Sequence, residues 1–144
     1  MQIIPASVQE ESGVKALLGA CELPSDDINS SHMRNFFVFQ DSGQIVGSVG
    51  LEICREFGMV RSLALSESLR GRGLGIQLVE HIEGYARSQK IRSIYLLTTS
   101  ADRFFTRLGY QIIPRENAPE PVQETTEFQT ICPTSAVCMF KELQ

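Results

Sequence analysis

Arg70-Gly71-Arg72-Gly73-Leu74-Gly75 follows an apolar run, Val60 to Leu65, and opens a helical pattern that continues to about Lys90. The first turn of a helix already carries partial positive charge, so each cation placed there costs about 0.3–1 kcal/mol. No Ser, Thr, Asp or Asn immediately precedes the turn to accept its free N–H groups. A bound anion answers both problems, because it accepts from those N–H groups and pairs with the guanidiniums of Arg70 and Arg72. Gly71, Gly73 and Gly75 leave its path clear of side chains. A solvated basic turn is the simpler alternative. Two common phosphate motifs do not fit. A P-loop needs Gly-Lys-Ser or Gly-Lys-Thr, which does not occur, and a dinucleotide fingerprint needs glycine where Ile76 stands.

Outward from this turn, the chain has the size and composition of one compact domain, residues 1–144. The formal net charge of −4 argues against nucleic acid as the main partner. No stretch is long and apolar enough for a membrane span, and Met1 to Pro5 has no leader character, so a cytoplasmic protein is expected. Cys21, Cys54, Cys132 and Cys138 show no metal-ligand spacing with one another or with His32 and His81. Free buried thiols are expected and no metal is. Capture of a thiophilic metalloid by Cys54, Cys132 and Cys138 is a weaker alternative.

Periodicity supplies the elements. Ile3 and Ile4 form a short strand, and Ser7 caps a helix over Val8 to Cys21 with Val14, Leu17 and Leu18 inward. Glu22 to Asn35 is a polar loop or short helix. Phe36 to Phe39 and Gln44 to Ile53 flank Asp41-Ser42-Gly43 as a hairpin, with Gly47 and Gly50 marking a bulge or a close backbone approach. Met59 to Leu65 is the next strand. In the helix after the glycine turn, Leu74, Leu78, Ile82 and Tyr85 recur at helical spacing. Ile91 to Thr99, Tyr110 to Ile113 and Ser135 to Leu143 are strands, and Ala101 to Leu108 is a short helix stopped by Gly109. Pro114 to Pro133 is too long for a simple turn. The order β-α-loop-β-β-β-α-β-α-β-β predicts an α/β (α+β) domain with a mixed sheet.

Arg61 to Leu65 with Leu69 to Gly75, and Phe104-Phe105-x-x-Leu108-Gly109-Tyr110 at its later position, resemble the GNAT superfamily of acyl-CoA-dependent N-acetyltransferases. Tyr95-Leu96-Leu97-Thr98-Thr99 narrows the likeness to the acetyltransferase domain of N-acetylglutamate synthases. With Cys132-Pro133-x-Ser135-Ala136-Val137-Cys138-Met139, it also resembles the small N-acetyltransferases found with arsenic-resistance genes. The resemblance implies a GNAT fold: a mostly antiparallel sheet of six to seven strands, about four flanking helices, and a splay at the central strand. It implies acetyl-CoA as co-substrate, with the pantetheine against backbone of Leu63, Ala64 and Leu65. The pyrophosphate falls on Arg70, Gly71, Arg72, Gly73, Leu74 and Gly75, and Thr99, Phe104 and Phe105 complete that site.

The acceptor implied is a small primary amine, an amino acid or amino-acid-like toxic compound before a protein or polyamine. Many relatives carry a general-base glutamate on the central strand and a general-acid tyrosine in the late helix. Those positions are Met59 and Phe105 here. Glu52, on the neighbouring strand, is the replacement base by location, with a solvated carboxylate or a water chain as alternatives. Tyr95 and Ser100 are the candidate acids for the leaving thiolate, with a structural or cofactor-binding role as the alternative for each, and a CoA thiolate can also leave without a strong acid. Arg61, amid apolar neighbours, requires a carboxylate partner. That partner is either the acceptor or an internal one, Glu52 or Glu56. His32, Arg34 and Ser100 are further acceptor contacts, and Pro114 to Pro133 forms a wall of the site or a homodimer contact. Loss of both expected acid and base residues motivates a rival from another class, a non-catalytic acyl-CoA-binding module.

Overall fold

A computed structural model describes residues 2–131 and 135–143. The strands are β1 (Ile3–Pro5), β2 (Phe36–Asp41), β3 (Gln44–Cys54), β4 (Phe57–Leu65), β5 (Ser93–Thr98), β6 (Gln111–Ile113) and β7 (Val137–Glu142). The α-helices are α1 (Glu11–Ala20), α2 (Leu74–Ser88), α3 (Asp102–Arg107) and α4 (Glu120–Gln123). All seven strands join one sheet in the order β1-β2-β3-β4-β5-β7-β6. Every pairing is antiparallel except that of β4 with β5. This is the sheet the sequence reading expected, with the last strand inserted between its two predecessors.

Local chemistry accounts for most boundaries. Ser42 and Gly43 have φ of 51° and 81°, so both central residues of the β2–β3 turn are left-handed, the geometry a two-residue hairpin loop favours. Ser7 does open the first helical segment, but it begins as a 3-10 turn, Val8–Glu10, before α1. The Glu10 carboxylate accepts from both the N–H and the hydroxyl of Ser7 at 2.8 Å. The polar segment after α1 ends in a 3-10 helix, Ser30–Asn35.

The sheet is covered on both faces. On one, α2 sets Leu78, Val79, Ile82 and Ala86 against Phe39, Val49 and Leu96. On the other, α1 sets Val14 and Leu18 on Phe36 and Val38. Beside α1, the stretch from Ala118 to Phe128 covers Met59, Tyr95 and Cys138. Successive residues of β2 therefore enter opposite cores, which is why Phe36-Phe37-Val38-Phe39 is apolar throughout. Glu83, on the buried side of α2, accepts from Tyr110 Oη at 2.8 Å and from Lys141 Nζ at 3.1 Å, tying α2 to β7 and the start of β6.

Gly47 and Gly50 mark close approaches, as their positions suggest. The extra residue of the bulge lies on the facing strand: the β3–β4 register shifts between Ser48 and Gly50, so Ser62 and Leu63 oppose Val49 alone. Ser62 adopts φ 59° there. A Cβ on Gly50 would lie 2.4 Å from the Phe36 ring, which is fully buried. Gly50→Ala is therefore expected to lower stability by about 1–3 kcal/mol through overpacking, read as a lower urea midpoint at unchanged slope.

Candidate active site

The β4–β5 ladder ends almost as soon as it begins. Its pairs are Phe57 with Ser93, Gly58 with Ile94 and Met59 with Tyr95, and beyond them the two strands diverge. The space between is a cleft of about 940 Å³. Its walls are Val60 to Leu65 on one side and Leu96 to Thr98 on the other, and it runs to the start of α2. Leu63, Ala64, Leu65, Arg70 and Gly75 line it, as do Thr99, Ser100, Phe104 and Phe105. Gly71, Arg72, Gly73 and Leu74 form the turn between Arg70 and Gly75, the first three of them exposed.

That turn has the geometry of an anion cradle. The residue before α2 is Gly73, at φ 78°, with no side-chain cap and no acidic residue in the first turn. Gly71 is also left-handed, at φ 80°, and neither glycine has anything within 4 Å of where a Cβ would stand. The first N–H groups of a fifteen-residue helix thus have no side-chain cap, next to two arginines in the sequence. Arg70 is held by a hydrogen bond from Nε to Leu65 O at 3.3 Å, and its Nη2 lies 3.6 Å from Cys21 Sγ.

Arg61 has its partners within the fold. Its side chain is wholly buried, Nη1 and Nη2 make a bidentate pair with Asp27 at 2.6 and 2.7 Å, and Nη1 also donates to Glu52 at 3.1 Å. Burial works against the guanidinium charge, but the Asp27 hydrogen bonds and the negative charges of Glu127, Asp27 and Glu52 outweigh it and raise its pKa. Burial likewise opposes the Asp27 charge, and the bond to Arg61 with the Arg61 charge prevails, lowering its pKa. The internal partners are thus Asp27 and Glu52; no Arg61 contact with Glu56 occurs among the described residues.

The other expected side chains separate. Glu52 lies behind Arg61 and does not line the cleft. Tyr95 is displaced from the expected position: strand alternation sends Ile94 and Leu96 toward α2 and turns Tyr95 to the opposite face, against Phe57 and Phe140. The residue is 8% exposed, and burial raises the pKa of its hydroxyl. Arg34 is exposed outside the cleft. His32 accepts from Asn29 N–H through Nδ1 at 3.0 Å. It shares with Asp27 and Glu52 a grouping of ligand atoms within 4.8 Å, but Arg61 Nη1 already bonds both carboxylates there. Cys54 and Cys138 are buried thiols, pushed by burial up to about 12 and about 11. Cys132, with Pro133 and Thr134, lies outside the described residues.

Two acidic residues emerge only in three dimensions. Asp27 sits in a polar loop where its one signal was the need of Arg61 for a counter-charge. Glu127, 6% exposed, lines the cleft from a π-helical turn, Glu127–Ile131, in the stretch read as a wall of the site. Nothing in the sequence distinguishes it from Glu116, Glu120 or Glu124.

Residues 11–110 match the Acetyltransferase (GNAT) family. An uncharacterized N-acetyltransferase of Chlorobaculum tepidum is 32% identical over 108 residues, 74% of this chain and 67% of that protein. An amino-acid acetyltransferase of Neisseria meningitidis is 27% identical over 92 residues, 62% of this chain and only 21% of that protein. The structure of N-acetylglutamate synthase from Neisseria gonorrhoeae, complexed with coenzyme A and N-acetyl-glutamate, superposes with a TM-score of 0.84 at 20% identity. It covers 99% of this chain and 35% of that one, a likeness of fold.

Removing the Asp27 charge leaves Arg61 buried with Glu52 as its remaining bonded carboxylate. Asp27→Asn is expected to cost roughly 2–3 kcal/mol, below the ~3–5 kcal/mol of a fully enclosed pair because one carboxylate bond survives. The pKa of Asp27 is depressed in the fold, so its contribution is present above its ordinary 3.8 and disappears as pH falls through the lower folded value. Urea titrations across the acid range should show that part of the acid destabilisation missing from the variant.

Proposed function

The chain belongs to the Acetyltransferase (GNAT) family, and on that premise we propose that it moves the acetyl group of acetyl-CoA to the primary amine of a small molecule. The observation that carries this reading is the cleft opened by the lost β4–β5 pairing, ending at an uncapped helix start flanked by arginines. The residues present fit the co-substrate. The N–H groups after Gly71 and Gly73, with Arg70 and Arg72, hold the pyrophosphate. Beyond Met59 the edge of β4 lacks a strand partner in β5, so the backbone from Val60 to Leu65 offers groups to the pantetheine amides. An N–H of that edge, turned by the bulge at Ser62, polarises the thioester carbonyl. Phe104 and Phe105 close the cleft opposite Leu65, and Phe104 would stand 3.4 Å from a Cβ on Gly75. A side chain larger than hydrogen there crowds this wall.

Within that reading the acceptor class is an amino acid or an amino-acid-like amine. Its support is the relatives: an amino-acid acetyltransferase matches 62% of the chain, and a structural neighbour was solved with N-acetyl-glutamate. Arg61 plays a different part from the one its position first suggests. With Asp27 and Glu52 already bonded to it, Arg61 orders the acceptor wall and leaves carboxylate recognition to other groups. A non-catalytic acyl-CoA-binding module has one observation in its favour: Met59 and Phe105 replace the expected base and acid, and Tyr95 is turned away from the cleft.

Thiol release from acetyl-CoA with a panel of L-amino acids separates the two. Turnover is expected; CoA binding without turnover on any amine leaves only the binding module. Gly73→Asp puts a negative side chain where the pyrophosphate belongs, in a left-handed position that costs about 1–2 kcal/mol for a non-glycine residue. Calorimetry should show CoA affinity falling at least about a hundredfold, the equivalent of roughly 3 kcal/mol, with the circular dichroism spectrum unchanged.

A further inference from the structure

We infer that Glu127 is the general base that takes the proton of the acceptor ammonium, a role resting on the acetyl-transfer reading above. Three placements converge on it. Glu127 is the one carboxylate among the described residues that both lines the cleft and is buried; Glu22 and Asp26, its other acidic lining residues, are exposed in the loop after α1. It borders the closed end of the cleft, where β4 and β5 part: the next residue, Phe128, packs in one cluster with Met59 and Tyr95, the last ladder pair, and Glu127 lines the cleft with Val60 and Arg61. The pyrophosphate cradle lies at the opposite end, five β4 residues away from Val60, about 16 Å at the usual strand rise. A thioester held with its phosphates at the cradle presents its reacting carbon toward this closed end.

The third placement concerns Met59. Its side chain is fully buried, and Thr125 Oγ1 lies 3.7 Å from its sulfur. Thr125 Oγ1 also accepts from Phe128 N–H at 3.3 Å, fixing the turn that carries Glu127. Arg115 Nη2 donates to Phe128 O at 2.9 Å from the other side. So the segment packed over the β4 position that holds no carboxylate supplies one itself, two residues beyond the contact. A π-helical turn at that point is the local irregularity that often accompanies a functional side chain. Glu52, the nearest alternative carboxylate, is bonded to Arg61 and does not reach the cleft.

The chemistry balances. Glu127 takes one proton from the ammonium, and the freed nitrogen lone pair forms the C–N bond to the thioester carbonyl carbon. As the C–S bond breaks, the sulfur leaves with its electron pair. The second nitrogen proton passes to that thiolate or to water. Arg61 lines the same cleft from β4, its charge acts with that of Glu127, and it is itself paired with Asp27 and Glu52. In the cluster beneath the segment, Tyr95, Cys54 and Cys138 are all raised by burial, so they stay neutral and do not compete for this proton. Arg115 lies over the Phe128 ring, 5.6 Å from its centroid.

The test is the pH profile of E127Q on the amino acid that wild type turns over best. At neutral pH its kcat/KM should fall about 10²–10⁴-fold. The deficit should shrink as pH rises toward the pKa of the free amine, where no base is needed, with CoA affinity unchanged. E127A, the second variant, should regain rate with added formate. A wild-type rate in E127Q, or a loss equal at every pH with no formate rescue of E127A, overturns the assignment while leaving acetyl transfer standing. A wild type that binds CoA and acetylates no amine overturns both, and is recognised before any variant is made.

Discussion

The structure depends on a ladder that stops. Three residue pairs join β4 to β5, and the same strands then part for the remainder of their length. Each strand is secured on its outer side: β4 by the ladder to β3, β5 by six pairs to β7. Neither can close the gap without losing those bonds. The bulge at Ser62–Leu63 adds the turn that carries the end of β4 away, and Ser48 Oγ fastens it with a bond to Ser62 O at 2.7 Å. Backbone groups left unpaired by two strands would be costly if buried dry. A ligand with its own amides, lying between them, removes that cost.

Arg61 stands just past the fork and links what the sheet leaves separate. Its guanidinium joins the loop after α1, through Asp27, to β3, through Glu52, and Arg61 lines the same cleft as Glu127 of the later segment. A buried ion cluster of this kind adds little net stability, since desolvation offsets much of the attraction. Its consequence is geometric. Two distant pieces of chain meet on one planar group in the wall of the cleft, which Glu127 lines as well. The cluster also sets sign: two carboxylates are bonded to one guanidinium, and the charge of Glu127 adds to theirs.

What was legible in the sequence was local. The Ser42-Gly43 turn, the inward stripe of α2 and the glycine turn before it all follow from neighbouring residues and appear as expected. Alternation could also have placed Tyr95, since Ile94 and Leu96 are the residues that face α2. Long-range choices were not legible. Asp27 is 34 residues from Arg61, and any of several acidic residues could have met that charge. Glu127 sits among similar glutamates in a stretch without periodicity, and only folding picks it out. The insertion of β7 between β5 and β6 likewise depends on tertiary packing, since a hairpin of neighbours would have satisfied the same local pattern.

The central claim is that the fork between β4 and β5 and the start of α2 form one continuous site for acetyl-CoA. Amide NMR during titration with CoA measures it directly. Shifts are predicted for Leu63 to Leu65 on β4, for Leu96 to Thr98 on β5 and for Gly71 to Gly75 at the helix start, with slowed hydrogen exchange along the β4 edge. Saturable CoA binding that leaves both strand edges and the glycine turn unperturbed would contradict it.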